Sequence, residues 1–227
     1  MDSYRMTYNV DLVFCIDATG SMDNVLDMVK SNALHFYEDV SASMQAKQKV
    51  INRLRIRLVV YRDYLADGDD AMLTTDFFTL PDDRDPFQQC VNSIRAFGGG
   101  DEPEDGMEAL AFAIRSPWDT EGVKRRQVIV VWTDASTHEI GFGRRVPNYP
   151  PEMAASFAEL TDWWGDCQNG GYIDQSAKRL LLFAPDAEYW NSIMNNWDNT
   201  LHFPSIAGKG LQEFDYAQII DAISNSI

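Results

Sequence analysis

The sequence predicts an α/β fold, in which a doubly wound, mostly parallel central sheet with one antiparallel edge strand carries helices on both faces. Continuous apolar runs at residues 12–16 and 128–132 are typical of strands buried on both faces of a parallel sheet. Both runs lead into a carboxylate, Asp17 or Asp134. Helical patterns alternate with such runs along the chain, as expected for strands joined by crossover helices.

The first half of the chain contains the first strand and its edge neighbours. After the strand at 12–16, an apolar stripe from Val25 to Met44 predicts one long helix, which no proline interrupts. Residues 54–61 predict a second parallel strand, and 72–80 an edge strand antiparallel to it. A helix over 86–97, a loop rich in glycine and acidic residues over 98–106, and a helix over 107–114 follow.

The second half continues the alternation after the strand at 128–132. Residues 135–151 form a long loop with several glycines and prolines, and loops of this length are usually functional or mobile. We then predict a helix at 152–167, a strand at 180–184, a helix at 187–197, a strand at 201–206 and a helix at 211–223. The sequence contains no evident repeat or linker, so we expect a single domain over residues 1–227.

Composition narrows the class of partner. The 227 residues are 45% apolar, as in globular proteins, and carry a net charge of −16. Such a charge argues against nucleic acid and anionic membranes as partners. The three cysteines, Cys15, Cys90 and Cys167, form no C-x-x-C pair and indicate neither a zinc site nor a disulfide framework. Without a signal-like segment or an apolar run of roughly 18 residues, we expect a cytoplasmic protein.

Oxygen-bearing side chains follow the predicted strands at the positions where a parallel sheet gathers its ligands. Asp17 is followed by Thr19 and Ser21, and Asp134 follows the strand at 128–132. The intervening loop adds carboxylates at Asp101, Glu102, Glu104 and Asp105. Clustered carboxylates repel unless a cation lies among them, and a set of oxygen ligands favours Mg²⁺, Mn²⁺ or Ca²⁺ over Zn²⁺. Two simpler interpretations stay open: Ser21 as a helix cap, and the acidic loop as a solvated turn.

These motifs resemble a known family. D-A-T-G-S at 17–21 matches the D-x-[ST]-x-S metal-ion-dependent adhesion site of von Willebrand factor type A domains, and V-V-W-T-D at 130–134 is similar to the strand that ends in that family's metal-associated Asp. The middle loop differs from the commonest form in this family, which uses a Thr. D-E-P-E-D-G-M-E-A-L at 101–110 instead resembles the D-x-P-E-x-G-x-x-A loop of integrin β-subunit domains. The resemblance implies that Glu104 binds the metal directly and that Asp101 serves a second ion nearby.

The resemblance, which extends from about Val10 to the last helix, implies a metal-dependent protein-binding module. A carboxylate from a partner protein would complete the coordination of the metal, and the family suggests an ATPase, kinase or phosphatase as partner. Bacterial cytosolic members of the family are similar in lacking a signal segment. Because Arg and Tyr are enriched at binding hot spots, Arg144, Arg145 and Tyr149 in the loop at 135–151 are our candidate contact residues. A solvated connection is the simpler interpretation of that loop.

A magnesium-dependent hydrolase or phosphatase-like enzyme is the alternative, since a metal at the end of a central strand also serves those reactions. Thr19 stands where haloacid-dehalogenase-like phosphatases have a second acid, and the loop has no Walker lysine. His138 could serve as an acid or base, although Ser21 has no evident base to activate it. A conformational switch built on the same metal site is a third interpretation. We favour binding over catalysis.

Overall fold

The computed structural model describes residues 6–100, 102–122 and 124–227, and a seven-stranded sheet forms the centre of this part of the chain. The strands are β1 (Met6–Asp17), β2 (Lys49–Tyr61), β3 (Met72–Thr74), β4 (Phe78–Leu80), β5 (Arg125–Trp132), β6 (Lys178–Pro185) and β7 (Thr200–Ser205). The sheet runs in the order β3-β2-β1-β5-β6-β7, with β4 also paired to β2. Only β3 and β4 are antiparallel to their neighbour, so the predicted sheet class is confirmed.

Strand β1 lies where the strand order reverses. It pairs in parallel with β2 on one side and with β5 on the other, so that Leu12 lies opposite both Ile56 and Val128. In open α/β sheets, the carboxyl ends of the two strands at such a reversal leave a crevice between the loops that leave in opposite directions. The sheet topology therefore places the ends of β1 and β5 beside a ligand crevice.

Helices cover both faces of the sheet. They are α1 (Asp23–Asn32), α2 (Phe36–Ala46), α3 (Tyr64–Asp67), α4 (Arg84–Ser93), α5 (Gly106–Ile114), α6 (Phe157–Trp164), α7 (Glu188–Asn196) and α8 (Tyr216–Ser226). Successive residues of a strand point to opposite faces. Accordingly, Phe14 of β1 joins an apolar cluster with α1, α2, α4 and α8, whereas Val13 and Cys15 join a second cluster with α5, α6 and α7.

The long helix predicted from the stripe at 25–44 is divided into α1 and α2. A turn at residues 33–35 separates them. At this break the side chains of Ser31 and Asn32 both donate hydrogen bonds to the carbonyl oxygen of Met28. Side-chain donors of this kind compete with the backbone hydrogen bonds of a helix, which the apolar periodicity alone does not reveal.

The predicted edge strand at 72–80 is antiparallel to β2 but consists of two short strands. Thr74 pairs with Val59 and Phe78 with Ile56, so the three edge residues 75–77 lie opposite the two β2 residues 57–58. Thr75 fills the gap, because its hydroxyl oxygen accepts a hydrogen bond from the backbone N–H of Leu58. The extra residue is a β-bulge, a common feature of sheet edges.

Two later helices begin after the predicted positions because of their N-terminal caps. Helix α6 begins after Ser156, whose hydroxyl accepts a hydrogen bond from the backbone of Glu159. Helix α8 begins after Asp215, which forms a capping box with Gln218. Residues 152–155 and 211–214 therefore lie outside the helices. Within the described residues, no helix combines the length and apolar character that a membrane crossing requires.

Candidate metal centre

The predicted ligands at the ends of β1 and β5 lie next to one another. Asp17 is the last residue of β1, and Thr133 and Asp134 follow β5 directly. The hydroxyl of Thr133 donates to Asp17 Oδ2 over 2.7 Å, and the hydroxyl of Ser21 donates to Asp134 Oδ1 over 2.8 Å. These two hydrogen bonds join the first and third loops of the candidate site at the crevice that the topology predicts.

Asp17 is fully buried and is held by hydrogen bonds on both oxygens. Its Oδ1 accepts from the backbone N–H of Thr19 at 2.9 Å and from the Thr19 hydroxyl at 2.7 Å. Burial raises the pKa of Asp17 to about 6, while the hydrogen bonds from Thr19 and Thr133 oppose that rise. Because the Thr19 hydroxyl gives its hydrogen to Asp17, its oxygen keeps lone pairs that can face a cation.

Ser21 has the same arrangement with a different carboxylate. Asp134 is buried, and besides the Ser21 hydroxyl its Oδ2 accepts from the backbone N–H of Gly210 at 2.6 Å. Ser21 lies exposed in a short 3₁₀ turn, Gly20–Met22, and α1 begins after Met22 without a side-chain cap. The cap interpretation of Ser21 is therefore wrong: its hydroxyl is directed at Asp134.

Glu104 supplies the carboxylate of the middle loop. It is 4% exposed, and its Oε2 is buried without a hydrogen-bond partner. Burial and the negative charges of its acidic neighbours, Asp17 foremost, raise the pKa of Glu104 to about 9. A carboxylate without a partner is costly to bury, so these surroundings are the kind expected of a side chain that binds a cation.

Gly99 shows how closely Glu104 approaches the first loop. A β-carbon at Gly99 would lie 2.5 Å from Glu104 Oε1 and 2.7 Å from Thr19 Cγ2, so both side chains lie against this glycine. The φ angle of Gly99 is +93°, which side chains rarely permit. Gly99 of the middle loop thus lies between the side chains of Glu104 and Thr19.

The backbone around Glu104 is fixed by the loop that follows β5. Its N–H donates to the carbonyl oxygen of Ser136 at 3.0 Å, and its carbonyl oxygen accepts from His138 N–H at 2.8 Å. The neighbouring Asp105 is buried and serves this scaffold: its carboxylate accepts from the backbone of Tyr64 at 2.6 Å and contacts His138 Nδ1 at 3.2 Å. Glu104 and Asp105 are therefore not part of a solvated turn, the simpler interpretation of this loop, whereas Glu102 is exposed.

The donor set fits a hard divalent cation. Among the described residues, no three His, Cys, Asp or Glu side chains converge into a metal cluster. The ligands available are instead one carboxylate, Glu104, and the hydroxyl oxygens of Thr19 and Ser21, with Asp17 and Asp134 behind the hydroxyls. Such an all-oxygen set suits Mg²⁺, Mn²⁺ or Ca²⁺. Asp101, expected to serve a second ion, lies outside the described residues.

Sequence reasoning missed two residues that hold the site together. Arg62 is buried and donates to the carbonyl oxygens of Ala18, Phe97 and Asp70, so it ties the first loop to the middle loop. Thr133 anchors Asp17. Each of the two residues directly follows a strand at the sheet edge where the site forms, and this position could have marked them as site residues. Nothing in the sequence specifies the hydrogen bonds that they form.

The candidate contact residues of the loop at 135–151 separate into two groups. Arg144 and Arg145 are exposed. Tyr149 is buried and its hydroxyl donates to Glu108 Oε1 at 2.8 Å, so the expectation that it is exposed is wrong. His138 is also buried, and its ring stacks against Phe142 at 4.0 Å. Burial lowers the pKa of His138, but the hydrogen bond and charge of Asp105 outweigh this, so the net shift is upward.

Comparison with known proteins identifies the class. The model of the von Willebrand factor A domain family matches residues 11–148, and the chain belongs to this family. Domains of this family commonly mediate protein–protein interaction or adhesion and are generally not themselves enzymes. The matched region includes the three loops of the candidate metal centre.

Individual relatives are longer proteins. The alpha-protein kinase vwkA of Dictyostelium discoideum is 26% identical over 64% of this chain and 21% of its own length. Human von Willebrand factor A domain-containing protein 7 is 31% identical over 62% of this chain and 14% of its own length. The chain therefore spans about a fifth or less of the length of these relatives.

A solved structure supports the fold. The von Willebrand factor type A protein from Catenulispora acidiphila superimposes with a TM-score of 0.51 over 95% of this chain and 42% of its own, at 15% identity. At that identity the likeness concerns the arrangement of strands and helices. It agrees with the mixed sheet described above.

Proposed function

We propose that the chain is a divalent-metal-dependent protein-binding module. In this proposal Glu104, Thr19 and Ser21 hold Mg²⁺, with Mn²⁺ or Ca²⁺ as alternatives, and a carboxylate of a partner protein binds to the metal. The observation that carries the proposal is the buried, unpartnered Oε2 of Glu104, on a loop whose Gly99 lies against both Glu104 and Thr19. The hydroxyl hydrogens of Thr19 and Ser21 are already donated to carboxylates.

The chain's own residues prepare the site for such a cation. Asp17 and Asp134 each accept the hydrogen of one hydroxyl, which orients the oxygen lone pairs of Thr19 and Ser21. They also contribute negative charge to the site. A bound metal supplies positive charge and an open coordination position, since Mg²⁺ in proteins usually keeps several exchangeable waters. Ser21 is exposed, so a partner can reach this side of the site.

The first test is a calorimetric titration of Mg²⁺, Mn²⁺ and Ca²⁺ into metal-free protein and into Asp17→Asn. We expect saturable binding to the unchanged chain and its loss in the variant, because Asn removes a charge and can no longer accept the Thr19 and Thr133 hydrogen bonds in the same way. Saturable binding of equal affinity in Asp17→Asn would contradict the role that we propose for Asp17 in the metal site.

A matched pair of variants tests the role of Glu104. The pKa of Glu104 is raised to about 9, so in the metal-free protein Gln replaces a neutral side chain and we expect little change in stability. The stabilisation by Mg²⁺ should disappear, because Gln cannot supply the negative charge that the metal binds. Glu102→Gln makes the same substitution at an exposed residue two positions away and serves as the control. Thermal unfolding with and without Mg²⁺ measures both effects, and equal metal-induced shifts in the two variants would exclude Glu104 as a ligand.

We further propose an intracellular assembly as the setting and an ATPase, kinase or phosphatase as the class of partner. The relative named as an alpha-protein kinase supports an association of this kind of domain with a kinase. Catalysis by the site itself is not part of the proposal, because His138, the candidate acid or base, is engaged by Asp105 and covered by Phe142.

A further inference from the structure

Several exposed apolar side chains lie on segments that contact the candidate metal centre. In the described part of the chain, the large hydrophobic side chains that remain exposed are Met6, Leu73, Phe97, Phe142, Tyr172, Leu201 and Ile206. Phe97 and Phe142 lie on the segments around the middle and third loops, and Ile206 follows β7 on the segment that binds Asp134. Exposed apolar groups gathered around a polar site mark interaction surfaces, whereas single scattered ones need no explanation.

Phe97 and Phe142 are each tied to a metal-site loop. The backbone N–H of Phe97 donates to the carbonyl oxygen of Ala18, which lies between Asp17 and Thr19. The ring of Phe97 is 43% exposed and lies 3.9 Å from the guanidinium carbon of Arg62. Phe142 is 50% exposed and stacks on His138, whose backbone N–H donates to Glu104. Both rings are therefore held next to backbone that carries a metal-site residue.

Ile206 occupies the corresponding position on the segment that holds Asp134. It is 59% exposed and follows Ser205, whose hydroxyl donates to the carbonyl oxygen of Thr133 at 3.1 Å. The same segment places Gly208 and Gly210 against Asp134 through their backbone N–H groups. Lys209, exposed between these glycines, adds a positive charge to the rim.

From this arrangement we propose that the partner presents an acidic residue flanked by apolar side chains. The inference rests on the proposed function, since the acidic residue would bind the metal. Phe97, Phe142 and Ile206 would cover the flanking apolar residues, and Lys209 would attract the carboxylate. An acidic segment without apolar neighbours is repelled by the net charge of −16 on this chain. It also makes no apolar contacts with Phe97, Phe142 or Ile206 that would offset this repulsion. The apolar rim therefore selects among acidic ligands.

Two synthetic peptides test this selection in the presence of Mg²⁺. One carries an aspartate between leucines and the other an aspartate between serines, at equal length and charge. Binding is measured by fluorescence anisotropy with the unchanged protein, Phe142→Ser, Ile206→Ser and Leu201→Ser. Leu201 is 51% exposed on the edge strand β7 and is the control for losing an exposed apolar side chain elsewhere.

We expect the leucine-flanked peptide to bind about tenfold more tightly than the serine-flanked one, as the burial of a few apolar groups gives. Phe142→Ser and Ile206→Ser should reduce that preference several-fold and leave calorimetric Mg²⁺ binding unchanged, while Leu201→Ser changes neither. Equal binding of the two peptides, or an equal effect of Leu201→Ser, would overturn the inference alone. Absence of binding by both peptides would overturn the inference together with the proposed contact between a carboxylate and the metal. If the unchanged protein did not bind Mg²⁺, the proposed function would be overturned, and this inference with it.

Discussion

Gly99 is the residue on which the geometry of the centre most directly depends. It has φ of +93° and leaves no room for a side chain between Thr19 and Glu104. Gly20 lies inside the D-A-T-G-S motif, yet a β-carbon there would meet nothing within 4 Å. The two glycines thus have different roles, although the sequence predicts a loop position for both of them.

Replacing Gly99 by Ala should therefore weaken metal binding by at least about tenfold, because the methyl group displaces the Glu104 carboxylate, and should also cost about 1 kcal/mol of folding stability through the unfavourable φ. Gly20→Ala should change neither quantity measurably. Calorimetric metal titration and urea unfolding of the two variants check this. Similar behaviour of both would show that the space at Gly99 does not matter.

At the scale of single residues, the sequence predicted which residues lie at the candidate site better than it predicted what surrounds each of them. Asp17, Thr19, Ser21 and Asp134 lie together, as expected from strand ends that share one sheet edge. The burial of Tyr149 was not predictable, because its hydroxyl donates to Glu108 on helix α5. No sequence pattern indicates that these two residues contact each other. The binding of a metal at the candidate site and the roles of Arg144 and Arg145 in contacting a partner stay predictions.

At the level of secondary-structure elements, an ion pair fastens β1 to β2 far from the metal centre. Arg55 donates two hydrogen bonds to Asp11, from Nε to Oδ1 at 2.8 Å and from Nη2 to Oδ2 at 2.6 Å. Asp11 is 2% exposed and also accepts from the backbone of Asp119 at 2.7 Å. The pair therefore links two central strands to the segment that precedes β5.

Arg55→Ala should lower the free energy of unfolding by about 3 kcal/mol, because it leaves Asp11 buried and without its cation. Arg53 pairs with Asp119 at a more exposed position, so Arg53→Ala should cost about 1 kcal/mol or less. Urea unfolding of both variants provides the comparison. A loss in Arg55→Ala no greater than in Arg53→Ala would mean that the bidentate pair adds no stability of its own.

The sequence predicted which elements exist more accurately than where they end. Apolar periodicity located every long strand and helix, because burial on a sheet face imposes that periodicity. The break between α1 and α2, the bulge at Thr75 and the late start of α8 all depend on side chains bonding to backbone. Such local hydrogen bonds compete with regular structure without altering the apolar pattern.

At the scale of the whole molecule, the paired strands around β1 confirm the predicted fold, whereas the single domain over 1–227 and the cytoplasmic location stay predictions. The excess of carboxylates gives the molecule a pH dependence of its own. Asp174 is the clearest contributor: hydrogen bonds from Ser176 and the nearby Arg125 lower its pKa to about 2, although partial burial opposes the shift.

A carboxylate whose pKa is lower in the folded than in the unfolded protein stabilises the fold above its unfolded pKa of about 3.9, and this contribution is lost as the pH falls towards 2. Asp174→Asn should therefore lower the free energy of unfolding by about 1 kcal/mol at pH 7, allowing for its partial exposure, and by less at pH 3. Urea unfolding at both pH values measures the difference. Asp69→Asn, at an exposed position, is the control. If Asp174→Asn lowered the free energy of unfolding by the same amount at both pH values, the role of Asp174 would be contradicted.

The position of Asp17 has a mechanical consequence. β1 is paired with β2 from Met6 to Asp17 and with β5 from Asn9 to Ile16, and both ladders are parallel. A partner held at the carboxyl end of β1 would pull along the strand axis and load the hydrogen bonds of both ladders together in shear. Peeling an edge strand would break those bonds one after another. The site thus lies where the sheet resists tension through many bonds at once.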